Sequence, residues 1–111
     1  MATRGTGVAT VLTTSSVALA TAGANELVTV VRGQVQNIDT VARLVTVHQV
    51  ASGGSATDSN KVHVQTVYAG QSTSLDIAGL MVASGAALYF KADANSVVNL
   101  SLNLFRSDQN P

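Results

Sequence analysis

The sequence predicts an all-β fold, an antiparallel β-sandwich of about eight short strands, and three observations carry that expectation. Apolar residues recur with period two rather than 3.6, so one side of each segment can face a core while the other faces out. Gly, Asn, Asp and Ser punctuate those segments at short intervals, as turns between antiparallel strands do. The hydrophobic 46% of the 111 residues is mostly Val, Ala and Leu with 4% aromatics, which suits a thin aliphatic layer between two sheets.

A chain of this length has room for one domain and buries roughly two thirds of its unfolded surface on folding. Residues 15–111 read as that domain, and residues 1–14 as an N-terminal arm or first edge strand. Residues 1–7, MATRGTG, are small and polar with two glycines, costly to order without a partner, and read as mobile and flexible. VATVLTT and SVALAT follow as short alternating segments. AGANE then turns the chain, since Gly23 and Asn25 both tolerate positive φ. A helix over residues 15–27, capped by Ser15 or Ser16, is the rival reading, and Gly23 with the surrounding Val and Thr opposes it. ELVTVVRGQVQNI is rich in β-branched residues, and Gly33 in its middle marks a bulge or a close approach of another backbone.

Residues 41–68 form the hairpin around which the rest is arranged, two alternating arms flanking the polar loop ASGGSATDSN. In the first arm Val41, Val45 and Val47 share one face and Leu44, Thr46 and His48 the other, and the valine face is taken as inward. In the second, Val62, Val64, Thr66 and Tyr68 alternate with Lys61, His63, Gln65 and Val67, one row being for the core. After a turn at Ala69-Gly70-Gln71, TSLDIAG sets Thr73, Leu75 and Ile77 against Ser74, Asp76 and Ala78 as a half-buried strand. LMVA follows Gly79, and Ser84-Gly85 turns the chain again. ALYFKA sets Leu88 and Phe90 against Tyr89 and Lys91. Beyond the Asp93-Ala94-Asn95 turn, VVNLSLNLF has the clearest alternation, with Val98, Leu100, Leu102 and Leu104 opposite Asn99, Ser101 and Asn103. Strand order stays open between an Ig-like and a jelly-roll-like arrangement.

Six basic and six acidic residues leave a formal net charge of zero, and no Lys/Arg run exists, which opposes nucleic acid or an anionic membrane as a partner. The 111 residues hold no cysteine, so they can form neither disulfides nor thiolate sites. Thr13, Thr14, Ser15 and Ser16 interrupt the apolar stretch that a secretory leader needs, and no run approaches the ~20 residues of a membrane span. His48, His63 and Asp58 are the one combination that could meet as a metal site, against the reading of both histidines as solvent-facing strand positions. Asp58-Ser59-Asn60 lacks the further acids of a calcium loop, and GGS at 53–55 is too short for a phosphate loop. Tyr68 and Tyr89 read as core-edge residues rather than a sugar-stacking platform. No catalytic, cofactor-binding or metal-ligating residue is assigned, no cofactor is expected, and enzymatic activity is disfavoured.

Arg32 to Asn37, Val45-x-Val47-x-x-Val50, Ser52-Gly53-Gly54-Ser55-Ala56, Asp58-x-Asn60-Lys61, Ala69-Gly70-Gln71-Ser72 and Gly79-Leu80-x-Val82-x-x-Gly85-Ala86 follow one another across residues 26–105. This succession of strand and turn motifs resembles small β-sandwich structural proteins of tailed bacteriophages. The resemblance implies a virion component assembled in the host cytoplasm, a head decoration or cement protein binding the major capsid protein, with a tail- or fibre-associated module as the alternative. It implies no catalytic residues. Composition points the same way: 11% charged residues make a surface suited to packing against copies of itself, and closed symmetry hides sandwich edges. A homo-oligomer, dimer or trimer, is therefore expected, with Thr3, Arg4, Thr6, Val8 and Val11 as candidate contacts to a neighbouring subunit or capsid. A carbohydrate-binding or adhesive sandwich is the other reading.

Overall fold

The clearest alternation in the chain becomes its central strand. In the computed structural model, which describes residues 3–108, β9 (Val98–Asp108) buries Val98, Leu100, Leu102 and Leu104 while Asn99, Ser101 and Asn103 point outward. On one side β9 pairs with β1 (Thr3–Val11), running without interruption from Thr3 opposite Ser107 to Val11 opposite Asn99. On the other it pairs with β3 (Glu26–Asn37), with one register shift between Val30 and Arg32. The short strands β6 (Ser72–Ser74) and β7 (Met81–Val82) line the far edge of β3. The second sheet has the order β2 (Val17–Thr21), β8 (Ala87–Ala92), β4 (Arg43–Val50), β5 (Lys61–Val67).

All pairings are antiparallel and they nest: β1 with β9, β2 with β8, β3 with β6 and β7, β4 with β5. The chain is one long hairpin whose tip is the loop between β4 and β5, rolled so that β9 also meets β3 and β8 also meets β4. That is the jelly-roll order rather than the Ig-like one. The inner faces supply an aliphatic core of Val28, Val30, Val35, Val45, Val47, Leu88 and the β9 leucines, with Phe90 its one fully buried aromatic.

Of the two readings of Gly33, the close approach is found at the residue itself and the bulge lies two residues earlier. The register shift leaves Val31 unpaired and exposed, and two residues on, a Cβ on Gly33 would stand 3.2 Å from Leu75 Cβ and 3.4 Å from Leu102 Cδ2. Leu75 is drawn down there because its N–H donates to the Gly33 carbonyl, 2.9 Å. Asn37, the one fully buried amide side chain among the described residues, donates from Nδ2 to the carbonyls of Val41 and Val67, both 2.9 Å, and accepts from the Asp39 N–H at 2.9 Å. Every hydrogen-bonding capacity that matters is used, and the β3–β4 turn is pinned to the end of β5. At the opposite end Arg106 spans three strands, donating from Nη1 to Thr21 O (2.7 Å) and Glu26 Oε1 (3.1 Å) and from Nε to Thr6 Oγ1 (3.4 Å).

Three expectations are overturned, and in β5 the face that the alternation left open is settled. Residues 3–7, taken as part of a mobile, flexible arm, are the first half of β1, because β9 presents them with a long complementary edge; residues 1 and 2 lie outside the described residues. The half-buried strand over 73–79 is a strand only through Ser74, although Leu75 and Ile77 still enter the core. Val41 precedes β4 and is exposed, and β4 is buried on both faces: Val45 and Val47 inward, Thr46 and His48 beneath the 3-10 turn Asp58–Asn60 on the outside. In β5 it is the His63, Gln65 and Val67 row that faces the other sheet, leaving Val62 and Val64 exposed at 43% and 44%.

Leu102→Asp should cost more than about 4 kcal/mol of a total of about 5 to 15, because an unpaired carboxylate replaces a buried leucine; a cooperative urea melt at the parent midpoint would contradict the assigned face. Asn37→Ala should cost about 2–3 kcal/mol by stranding two carbonyls and an amide. Gly33→Ala should destabilise by roughly 1 kcal/mol through crowding, whereas Gly7→Ala, where the nearest atom would be Leu102 O at 3.9 Å, should leave the melting temperature unchanged.

Candidate functional site

The candidate site is the β1 edge and the sheet face beside it. The Leu12 N–H donates to Val98 O at 2.8 Å, one step beyond the Val11–Asn99 pair. By the alternation of an antiparallel ladder, Thr10, Val8 and Thr6 direct their backbone groups at β9, while Val11, Ala9, Gly7 and Gly5 direct theirs at the open edge. No described strand lies beyond β1.

The other edges are less available. β6 and β7 have three and two residues, and β2 has five with a register shift between Ala18 and Ala20. β5 is tied across the sandwich, with Gln65 Nε2 donating to Ser74 O at 2.8 Å and Gln65 Oε1 accepting from the Asp76 N–H at 3.0 Å. β1 has nine residues, no shift and no proline, and so lacks the bulge and the proline that blunt an edge strand.

Of the five candidate contact residues, Thr6 and Val8 lie on the inner side, opposite Leu104 and Leu102, and are half-buried. Val8 packs against the core, so it supports its own sheet. Val11 is exposed on the outer face. Thr3 and Arg4 pair through their backbones with Ser107 and Arg106.

Outward from β1, the register sets residues of four strands in rows: Val11, Asn99, Gln36 and Ser72 in one, Ala9, Ser101, Gln34 and Ser74 in the next. Between them lies a shallow trough of ≈ 430 Å³ whose lining combines the amides and hydroxyls of Gln34, Gln36, Asn99, Ser72 and Ser101 with apolar surface from Ala9 and Val11. Alternation alone marked Asn99, Ser101 and Asn103 as outward; joining them to Gln34 and Gln36 required the strand order.

The histidines do not meet. His63 pairs with Val47 and shares its face, with Nε2 2.8 Å from Gln65 Oε1, whereas His48 projects from the opposite face of β4. His48 is 3% exposed, not solvent-facing, and its Nδ1 has no hydrogen-bond partner. Its register neighbours are Lys61 on β5 and Tyr89 on β8. Burial holds the imidazole below its ordinary 6.5, Lys91 and Lys61 push the same way, and Asp58 opposes them. Among the described residues no three His, Asp or Glu side chains are grouped to hold a metal. Asn60 is occupied within its own loop, accepting from the Thr57 N–H at 2.9 Å and donating to Ser55 O at 2.8 Å, while the Asp58 carboxylate stands in solvent beside Lys61. Gly53 takes φ +79° in the turn closed by Gly54 N–H to Ala51 O. Tyr68 is 64% exposed beyond β5 and Tyr89 half-buried beside His48; about 20 Å of strand separates their rows, so they share no platform.

With this geometry in hand, the comparisons address the fold. No family model and no curated protein matches the chain. Among solved structures it is similar to a chain from Bacillus endospore appendages, described as a novel family of disulfide-linked pili. The two superpose with a TM-score of 0.58 over 98% of this chain and 88% of that one, at 13% identity. At that identity the likeness is one of fold, and it agrees with the sandwich described above.

His48 gives a pH prediction with a definite sign. The unfolded chain takes up the imidazole proton near pH 6.5 and the folded chain only at lower pH, so the stability it confers is complete above 6.5 and lost as pH falls through the folded value. The urea midpoint should drop between about pH 7.5 and about pH 5.5, and His48→Gln should flatten that drop. Asp39, held below its ordinary 3.8 chiefly by hydrogen bonds from Arg43, loses its contribution only at still lower pH.

Proposed function

We propose that this protein is a non-enzymatic structural subunit that works in several copies joined through the β1 edge, and that in a tailed phage it decorates the head by binding the major capsid protein. The observation that carries the reading is a nine-residue edge strand left open in a sandwich whose other edges are short, shifted or tied down. A second β1 running antiparallel across a twofold axis would satisfy the outward groups of Gly5, Gly7, Ala9 and Val11 on both copies at once. Addition of β1 to a different edge of the next copy would give a closed trimer instead.

A neutral, charge-poor surface removes the repulsion that keeps identical subunits apart. The phage setting rests on the turn motifs from Arg32 to Ala86, and virion residence goes with it. The titratable side chains are spread over opposite faces of both sheets, which favours a structural role over catalysis.

A filament subunit is the second reading, favoured by the fold shared with the pilus protein. Head-to-tail use of β1 gives an open filament whenever the rotation between copies does not close. Disulfide linkage has no basis in these 111 residues, which contain no cysteine, so such a filament would be held by strand pairing and packing.

Light scattering across a concentration series, with negative-stain microscopy, tests the proposal. A discrete dimer or trimer that co-sediments with phage heads supports decoration; open filaments support the second reading. Ala9→Pro removes an N–H that points away from β9 and spares the β1–β9 bonds, so it should weaken association at least tenfold, about 1.4 kcal/mol, with an unchanged melting temperature. A wild-type monomer at every concentration would defeat self-association. Deletion of residues 2–14 is a poorer test, since it removes β1 and uncovers Leu102 and Leu104.

A further inference from the structure

We infer that the outer face of the five-stranded sheet, the trough lined by Gln34, Gln36, Ser72, Asn99 and Ser101, binds a neutral glycan. The trough holds ≈ 430 Å³, within the range of small-ligand sites. Its lining contains no charged group, but Arg32, which donates to Gln34 at 3.2 Å, stands beside it, so a sulfated ligand is the control that separates a neutral from an anionic occupant. It offers primary amides and hydroxyls, and each amide places a donor and an acceptor side by side, the complement of vicinal sugar hydroxyls.

The site is partly prearranged. Gln34 Nε2 donates to Ser72 Oγ at 3.1 Å and its Oε1 accepts from Arg32 Nη2 at 3.2 Å, which fixes the amide plane at the centre of the trough. Gln36, Asn99 and Ser101 have no side-chain partner among the described residues, so their capacity faces outward unspent. Along β1 the outward Gly5, Gly7 and Ala9 leave the flank low up to the exposed Val11, which lets an extended ligand lie across β9 and β3. Val11 supplies an apolar wall of the trough. Phe105 lies on the same face of β9, 43% exposed and about 13 Å along the strand from Ser101, where an aromatic ring can stack on the apolar side of a second sugar.

A second copy of this chain is the weaker occupant. Face-to-face packing of two such surfaces would desolvate Gln36 and Asn99 against identical groups with no register to pair them, at the cost of unsatisfied amides. Edge pairing at β1 leaves the face open, so glycan binding does not depend on the oligomeric state.

The test is an NMR titration of the full-length ¹⁵N-labelled protein with neutral oligosaccharides of glucose, mannose, galactose and N-acetylglucosamine, with a sulfated oligosaccharide as control. Saturable shifts confined to the side-chain amides of Gln34, Gln36 and Asn99 and the backbone of Ser101 are expected for at least one neutral series. Gln36→Ala and Asn99→Ala should each weaken binding about 3- to 10-fold without moving the melting temperature, and Phe105→Ala should weaken only the longer oligomers. No saturable response to any neutral series, a response centred on another face, or stronger binding of the sulfated control would overturn the inference. Glycan-free shifts of the same amides that grow with protein concentration would also overturn it, by assigning the face to a second copy.

Discussion

The structure depends on the period-two register of β9, held on both sides at once. With Val98, Leu100, Leu102 and Leu104 inward, a slip of one residue would put Asn99, Ser101 and Asn103 into the core and four apolar side chains into water, so each flanking strand has one acceptable alignment. β1 fits without interruption. β3 fits only by ejecting Val31 at the bulge, which restores the inward phase of Val28 and Val30 on one side and Val35 on the other. Gly33 follows from the same constraint, because Leu102 and Leu75 converge over its missing side chain.

Nested pairing leaves the two outermost strands with the longest loop to close. The β4–β5 hairpin joins residues close in sequence, whereas β1 finds β9 about a hundred positions away. Loop-closure entropy must be met before those distant contacts stabilise anything, which fits a sequence whose strongest alternation is at the strand that must recruit two remote partners. Asn37 and Arg106 then fix opposite ends with bonds that hydrophobic alternation cannot supply.

Strands with a strong internal pattern were legible in the sequence, and features imposed by a neighbour were not. β8 and β9 announce their buried faces through Leu88, Phe90 and the β9 leucines, and Gly33 announced the close approach of the Leu75 backbone. β1 has a glycine- and threonine-rich composition that argues locally for mobility, and its order comes from the edge β9 offers. In β5 the more apolar row, Val62 and Val64, faces out, because Gln65 is needed inside to bridge to Ser74 and Asp76 on the other sheet. His48 is buried on the outer face of β4, the side that the alternation of the strand reads as open to solvent. The trough was half visible: its β9 residues were marked outward, but only the strand order brings Gln34 and Gln36 alongside.

One strand serves two purposes in this arrangement. Outward glycines and alanine on β1 keep its edge flat enough for another strand to approach, and the same missing side chains leave the polar face of the sheet uncovered. Larger residues there would stiffen β1 but crowd both the edge and the trough. A second β1 paired across a twofold axis would carry its own amide rows onward in the same plane, so two shallow troughs would lie on one continuous sheet. Weak contacts to a repeating sugar chain then add through effective concentration rather than through any single strong bond. On the two proposals together, a neutral amide-rich face that binds weakly as a single site would bind more tightly as an array, and edge pairing would supply that array.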